Sequence, residues 1–231
     1  MNGLKQFSSR ADAASLWARL ALALALAATG FVPARADVPI VATLGPASRV
    51  WLEGNSTVHH FESTATKLVV HVTSAQPTAA RGLEGFVQLV RAGQVKAVDV
   101  SIPVAEMQSG KTGLDKNMRK ALKAEQFPRI TFHLDRYTVA KAAASDSFVI
   151  DAHGMLSVAG VEKAIDIRAG ALRSGESLRI RGTKELLMTQ FGVKPPTMMM
   201  GAVKTSDQIV IHFDLWLVPS LSPPLVGMKG N

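Results

Sequence analysis

The chain has 231 residues, with 26 Lys and Arg against 18 Asp and Glu, a formal net charge of +8, and no cysteine. The missing cysteines exclude a disulfide framework, a thiol nucleophile and a thiolate metal site. The charge does not describe a nucleic-acid binder: Lys5, Arg10, Arg19 and Arg35 against Asp12 put part of it in the first 36 residues, the rest is scattered singly, and past that point only Trp51, Trp216 and Tyr137 join Phe as aromatic rings.

Residues 1–36 carry a cationic start, an apolar run from Leu20 to Thr29, and Ala34-Arg35-Ala36 before Asp37. This is the pattern of a cleavable secretory signal. The apolar run, of about 13 residues, is short of the about 20 that a membrane span needs, so no stable membrane insertion is expected. The expected location is the periplasm, reached by export. Residues 37–48 read as a linker, 49–218 as one domain, and 219–231, rich in Pro, Ser and Gly, as a flexible tail.

Within the domain, period-two alternation dominates. Val50 and Leu52 open the series, and Ser56 to Phe61 continue it past a turn at Gly54-Asn55. Thr66, Leu68, Val70 and Val72 share a face opposite Lys67 and His71. Gly82 to Arg91 is read as a further sheet segment, linked as a hairpin through Ala92-Gly93 to Val98, Val100, Ile102 and Val104. Leu114 to Ala124 departs from the pattern: Leu114, Met118, Ala121 and Leu122 recur at helical intervals and predict a short helix lying across the barrel.

Beyond Pro128 the alternation resumes. Ile130, Phe132 and Leu134 oppose His133 and Asp135; Phe148, Ile150, Ala152 and Leu156 oppose Asp151 and His153; Ile165 and Ile167 form an apolar pair. Leu178, Ile180, Leu186 and Met188 oppose Arg179 and Arg181, and Ile209, Ile211, Phe213, Leu215 and Leu217 oppose His212, Asp214 and Trp216. The fold class is therefore all-β, an antiparallel up-and-down barrel of about eight strands, because closure removes exposed edges and seals the apolar faces inside.

The motifs that carry chemistry are few. Gln108-Ser109-Gly110-Lys111-Thr112 imitates a phosphate loop but has Ala105 where the first glycine belongs, and reads as a strand-to-helix link. His71, His133, His153 and His212 sit on polar faces, with His59 and His60 adjacent. Met198-Met199-Met200 near Met188 keeps a copper-binding alternative open, against the use of methionine as adaptable apolar filling. No nucleophile and base, and no carboxylate pair, stand at recognisable spacing, so neither an enzyme nor a cofactor is expected. Asn55-Ser56-Thr57 matches a glycosylation sequon.

Three blocks, in order and spacing, resemble the YceI-like family of exported, lipocalin-like barrels. They are Leu114-Asp115 through Phe127-Pro128-Arg129-Ile130-Thr131-Phe132; Gly154-Met155-Leu156-Ser157-Val158-Ala159-Gly160-Val161-Glu162-Lys163; and Phe191-Gly192-Val193-Lys194-Pro195-Pro196. The family's Arg-Asp before the helix and paired Phe after it are replaced here by Leu114-Asp115 and Glu125-Gln126-Phe127. The resemblance implies a carrier of isoprenoid-like or other long-chain lipid. Its lining is expected from Val70, Val100, Ile102, Ile130, Phe132, Leu134, Phe148, Ile150, Leu156, Ile180, Leu186, Met188, Phe191, Met199, Ile211, Phe213 and Leu215, with Lys184 the one basic residue on an otherwise apolar face.

The sequence alone leaves a hollow barrel and a filled structural one both open. Small inward residues, Ala152, Gly154 and Gly182, favour the hollow one. The Leu114–Ala124 helix offers a surface for a membrane or for a second copy of the chain, a homodimer.

Overall fold

A computed structural model describes residues 38–40, 42–74, 82–141, 146–198 and 203–219; the expected leader, Met199 and the tail beyond Pro219 lie outside them. The strands are β1 (Val38–Ile40), β2 (Ala42–Leu44), β3 (Arg49–Ser56), β4 (His60–Ala65), β5 (Val69–Ser74), β6 (Val95–Pro103), β7 (Arg129–Lys141), β8 (Ser147–Val158), β9 (Val161–Ser174), β10 (Ser177–Leu187), β11 (Thr197–Met198) and β12 (Val203–Pro219). Two helices, α1 (Gly82–Arg91) and α2 (Thr112–Ala121), interrupt them. Every pairing is antiparallel, in the order β1-β5-β6-β7-β8-β9-β10-β12-β3-β4, with β2 and β11 also bonded to β12.

The alternation translates into faces as the pleat requires. In β5, Val70 and Val72 are buried while Val69 and His71 are exposed. Tight links carry the meander from β7 to β10. Between β8 and β9 the turn is Ala159-Gly160, with φ of 50° and 83°, the positive pair that a two-residue hairpin turn demands.

Residues 38–40 and 42–44, expected as linker, are sheet. Ile40 pairs with Val72 of β5, and Leu44 pairs with Leu217 of β12. Val38, Ile40, Ala42 and Leu44 alternate in the sequence, and their backbone groups satisfy edges of β5 and β12 that would otherwise stay open. The segment thus joins two distant strands of the sheet and helps to curl it into a barrel.

Gly82–Arg91, expected as a strand, is helix α1. Leu83, Phe86, Val87 and Val90 fall at i, i+3, i+4 and i+7 and are all buried. This spacing wins over a two-residue reading because only a helix brings the four onto one face. Ala92-Gly93, expected as a hairpin link, ends that helix. Gly93 has φ of 70°, its N–H donates to the Val90 carbonyl at 3.2 Å, and the Gln94 N–H donates to Leu89 at 2.9 Å.

The first hairpin turn also shifts. Gly54 lies within β3, opposite Phe61, and the chain reverses at Thr57-Val58, where the Ser56 N–H donates to the His59 carbonyl at 2.9 Å. Helix α2 begins two residues before the expected Leu114. The Ser109–Thr112 loop leads into it, with Asp115, buried, accepting from the Ser109 N–H at 2.8 Å and from its Oγ at 2.6 Å. Val104 and Met188, read as strand, each begin a 3₁₀ turn, Val104–Glu106 and Met188–Phe191.

Apolar packing forms two clusters. One surrounds α1 with Val70, Val72, Phe148, Leu178 and Leu217. The other surrounds Leu122, beside α2, with Leu186, Phe191 and Val193. Among the described residues no helix is long and apolar enough to cross a membrane.

Candidate functional site

The inward faces of the sheet surround a cavity of about 350 Å³, which both apolar clusters border. Of the seventeen residues read from the sequence as its lining, all but two face it: Val70, Val100, Ile102, Ile130, Phe132, Leu134, Ile150, Leu156, Ile180, Leu186, Met188, Phe191, Ile211, Phe213 and Leu215. Phe148 does not. It is packed into the cluster around α1, with the Arg91 guanidinium 4.9 Å above its ring. Met199 lies outside the described residues.

The sequence reading missed the helical contribution. Phe86 and Val90 of α1, and Leu114 and Met118 of α2, line the cavity together with Val50, Leu52 and Phe61 of the β3–β4 hairpin. Helical spacing in Gly82–Arg91 is the signal that would have found the first pair. For Val50 and Leu52 the alternation itself was sufficient.

Within the strands, Gly54, Gly154 and Gly182 make room for the rings of cavity-lining phenylalanines. A Cβ built on Gly54 would stand 2.4 Å from the Phe61 ring, one on Gly182 2.4 Å from the Phe213 ring, and one on Gly154 2.7 Å from the Phe132 ring. Gly154 and Gly182, expected to leave empty space, instead accept the ends of phenyl rings from neighbouring strands. The cavity is what remains after these rings are seated.

Polar side chains are rare on this surface. Among the described lining residues they are Trp51, Ser63, Tyr137, Lys184 and Thr205. Trp51 donates through Nε1 to Glu53 at 3.2 Å. The Tyr137 hydroxyl donates to the Val90 carbonyl at 3.0 Å and accepts the Val95 N–H at 3.2 Å, tying β7 to the end of α1. Burial raises its pKa above the usual phenol value, the Val95 N–H opposing. Ser63 is 2 % exposed, and its Oγ has no partner. Among the described lining residues Lys184 is the one that is charged.

Lys184 also stands where the sheet forks. The β9–β10 ladder runs from Ser174↔Ser177 to Ala169↔Gly182 and stops. Past it, β9 stays bonded to β8 and β10 to β12.

The charged pairs occupy the outer face. His133 Nδ1 lies 2.6 Å from Asp99 Oδ1; that hydrogen bond raises the His133 pKa against partial desolvation, with the Asp99 and Asp135 charges adding. His153 Nδ1 lies 2.7 Å from Asp166, whose carboxyl is held below its usual range chiefly by that bond. Asp214 accepts Arg179 Nε at 2.8 Å and Nη2 at 2.6 Å, a two-pronged pair that likewise depresses its pKa. The Trp51 and His212 rings stack at 4.9 Å. Each of these histidines is thus engaged by carboxylates or rings of neighbouring strands, and among the described residues no three His, Asp or Glu converge as a metal site.

A curled antiparallel sheet with two helices and an apolar hollow is a lipocalin-like β-barrel. Residues 50–217 match the YceI-like domain, and the chain belongs to that family. Solved structures share the fold, two of them as follows. Burkholderia cenocepacia BcnA superposes with a TM-score of 0.57 at 17% identity, covering 75% of this chain and 99% of its own. A polyisoprenoid binding domain from Saccharophagus degradans, implicated in plant cell wall breakdown, superposes with a TM-score of 0.56 at 11% identity, covering 78% and 99%. No curated protein matches the sequence.

Proposed function

We propose that this protein is a periplasmic carrier that holds an isoprenoid-like or other long-chain lipid inside the barrel by burial, without catalysis. The observation that carries the reading is the cavity of about 350 Å³ lined almost wholly by Val, Ile, Leu, Phe and Met side chains. A filled structural barrel has no use for such a space, since an unfilled apolar void costs stability. An apolar cavity of about 150 Å³ accepts a benzene ring, so one of about 350 Å³ holds roughly fourteen carbon atoms. Each buried methylene contributes about 0.8 kcal/mol, so affinity needs little polar recognition.

Membership of the YceI-like family and the likeness to a polyisoprenoid binding domain support a lipid as the occupant. The secretory pattern of residues 1–36 supports the location. A carrier is needed where a water-insoluble chain must cross an aqueous compartment. Among the described lining residues the polar groups form no paired nucleophile and base, which supports binding without chemistry. The test is mass spectrometry of an organic extract from protein purified without detergent. A stoichiometric long-chain lipid is the expected result. A clean extract, with no uptake of polyprenyl lipid added afterwards, would overturn the proposal.

A further inference from the structure

We infer that the ligand carries one anionic end group, a carboxylate or a phosphate monoester, which seats against Lys184 in the fork between β9 and β10 with the Ser63 hydroxyl at the same level of the barrel. This deepens the carrier reading and rests on it.

The registers place the two groups. Lys184 of β10 pairs with Ile211 of β12, Ile211 with Leu52 of β3, and Leu52 with Ser63 of β4. Lys184 and Ser63 are therefore the ends of one row of directly opposed residues, about 14 Å apart along the curved sheet at the usual strand spacing. Both face the cavity. The row lies on the α2 side of the interior, where Leu52 and Ile211 belong to the cluster around Leu122. From that level to Leu178, at the α1 side, β10 runs six residues, about 20 Å of apolar wall at the strand rise.

Ser63 is buried and Lys184 half-buried, and each is short of a partner. A hydroxyl that is buried without a partner forfeits its hydrogen bond to water, and Ser63 Oγ has none. An ammonium on an apolar wall needs a counter-charge. Among the described residues no carboxylate lies within 4.0 Å of Lys184; its charge adds to the lowering of the Asp166 pKa, but Asp166, on the outer face of β9, already holds His153. The fork explains how a lysine is tolerated here. Beyond Gly182 no ladder bond separates the β10 side chain from the surface, so the ammonium can stay hydrated until a ligand head replaces that water. An anion supplies the missing charge to Lys184, and a neutral head does not.

The test compares four fourteen-carbon amphiphiles by isothermal titration against the purified full chain: myristate, tetradecyl phosphate, tetradecanol and tetradecyltrimethylammonium. The better of the two anions is expected to bind at least tenfold more tightly than tetradecanol, the identity of that anion distinguishes carboxylate from phosphate, and the cation is expected to bind worst. Lys184→Met should erase the preference, and Lys184→Arg should keep it. Equal binding of anion and alcohol, or a preference that survives Lys184→Met with an unchanged circular dichroism spectrum, would overturn this inference and leave the carrier reading standing. Failure of all four to bind would overturn both.

Discussion

Replacing Gly154 by Ala tests whether the Phe rings are seated as described. A methyl at this position would lie 2.2 Å from the His133 carbonyl oxygen and 2.7 Å from Phe132 Cζ. The ring can turn, but the carbonyl belongs to β7 beside the register shift between Leu134 and Arg136, and it moves only if the ladder moves with it. Overpacking of this kind costs about 1–3 kcal/mol. The gain from a less flexible unfolded chain offsets about 0.4–1 kcal/mol of it. A net loss of about 1–2 kcal/mol is expected, which for a domain of this size lowers Tm by about 2–8 °C.

Gly170 supplies the control within the same sheet. A methyl there meets nothing closer than 4.0 Å, so Gly170→Ala should be neutral or stabilising by a few tenths of a kcal/mol. Urea unfolding followed by circular dichroism measures both, read as a midpoint shift at constant m. A neutral Gly154→Ala, or a Gly170→Ala that loses as much as Gly154→Ala, would refute the packing argument.

Three further outcomes follow from the same geometry. Ala152→Phe puts a ring into the cavity and should cut uptake of a fluorescent fatty chain at least tenfold while the far-ultraviolet spectrum is kept; unchanged uptake would place the ligand elsewhere. The His133 ring should titrate above the ordinary value of about 6.5 by nuclear magnetic resonance, and Asp99→Asn should bring it down. Its raised pKa makes its contribution to stability full below the unfolded value and lost as pH rises through the folded one. Asp214 has the opposite sign: its carboxyl is depressed by the Arg179 hydrogen bond, so its contribution is present above the unfolded value of about 3.9 and lost as pH falls through the folded one. The gap in urea midpoint between the native protein and Asp214→Asn should therefore shrink as pH falls below about 4, and a gap independent of pH would contradict the pairing.

The fold was legible wherever one physical signal acted alone. From Ile130 to Leu217 the two-residue period set strands, faces and nearly all of the lining, because a half-buried strand leaves no other way to hide alternate residues. It misled where two patterns overlapped. Leu83, Phe86, Val87 and Val90 sit among enough intervening apolar residues to pass for a strand, and the helix shows only when the i, i+3, i+4 and i+7 positions are counted together. Strands β1 and β2 were hidden for another reason: three-residue strands carry too little periodicity to announce themselves, and their role depends on the distant edges of β5 and β12.

The site divides in the same way. Lys184 stands out in the sequence as a charge on an apolar face, but its place at the fork depends on where the β9–β10 ladder ends, and Ser63 on a row that crosses four strands. Likewise, the glycines are visible as small residues, whereas the rings that cover them come from neighbouring strands.

The most direct measurement of the central claim is affinity against chain length. For a series of saturated chains sharing one head group, each added methylene buried in the cavity should tighten Kd about fourfold, the equivalent of about 0.8 kcal/mol. The gain should continue to roughly fourteen carbons, the number that a cavity of about 350 Å³ accommodates on the benzene scale, and then level off. An affinity that does not change with chain length over that range would contradict the account.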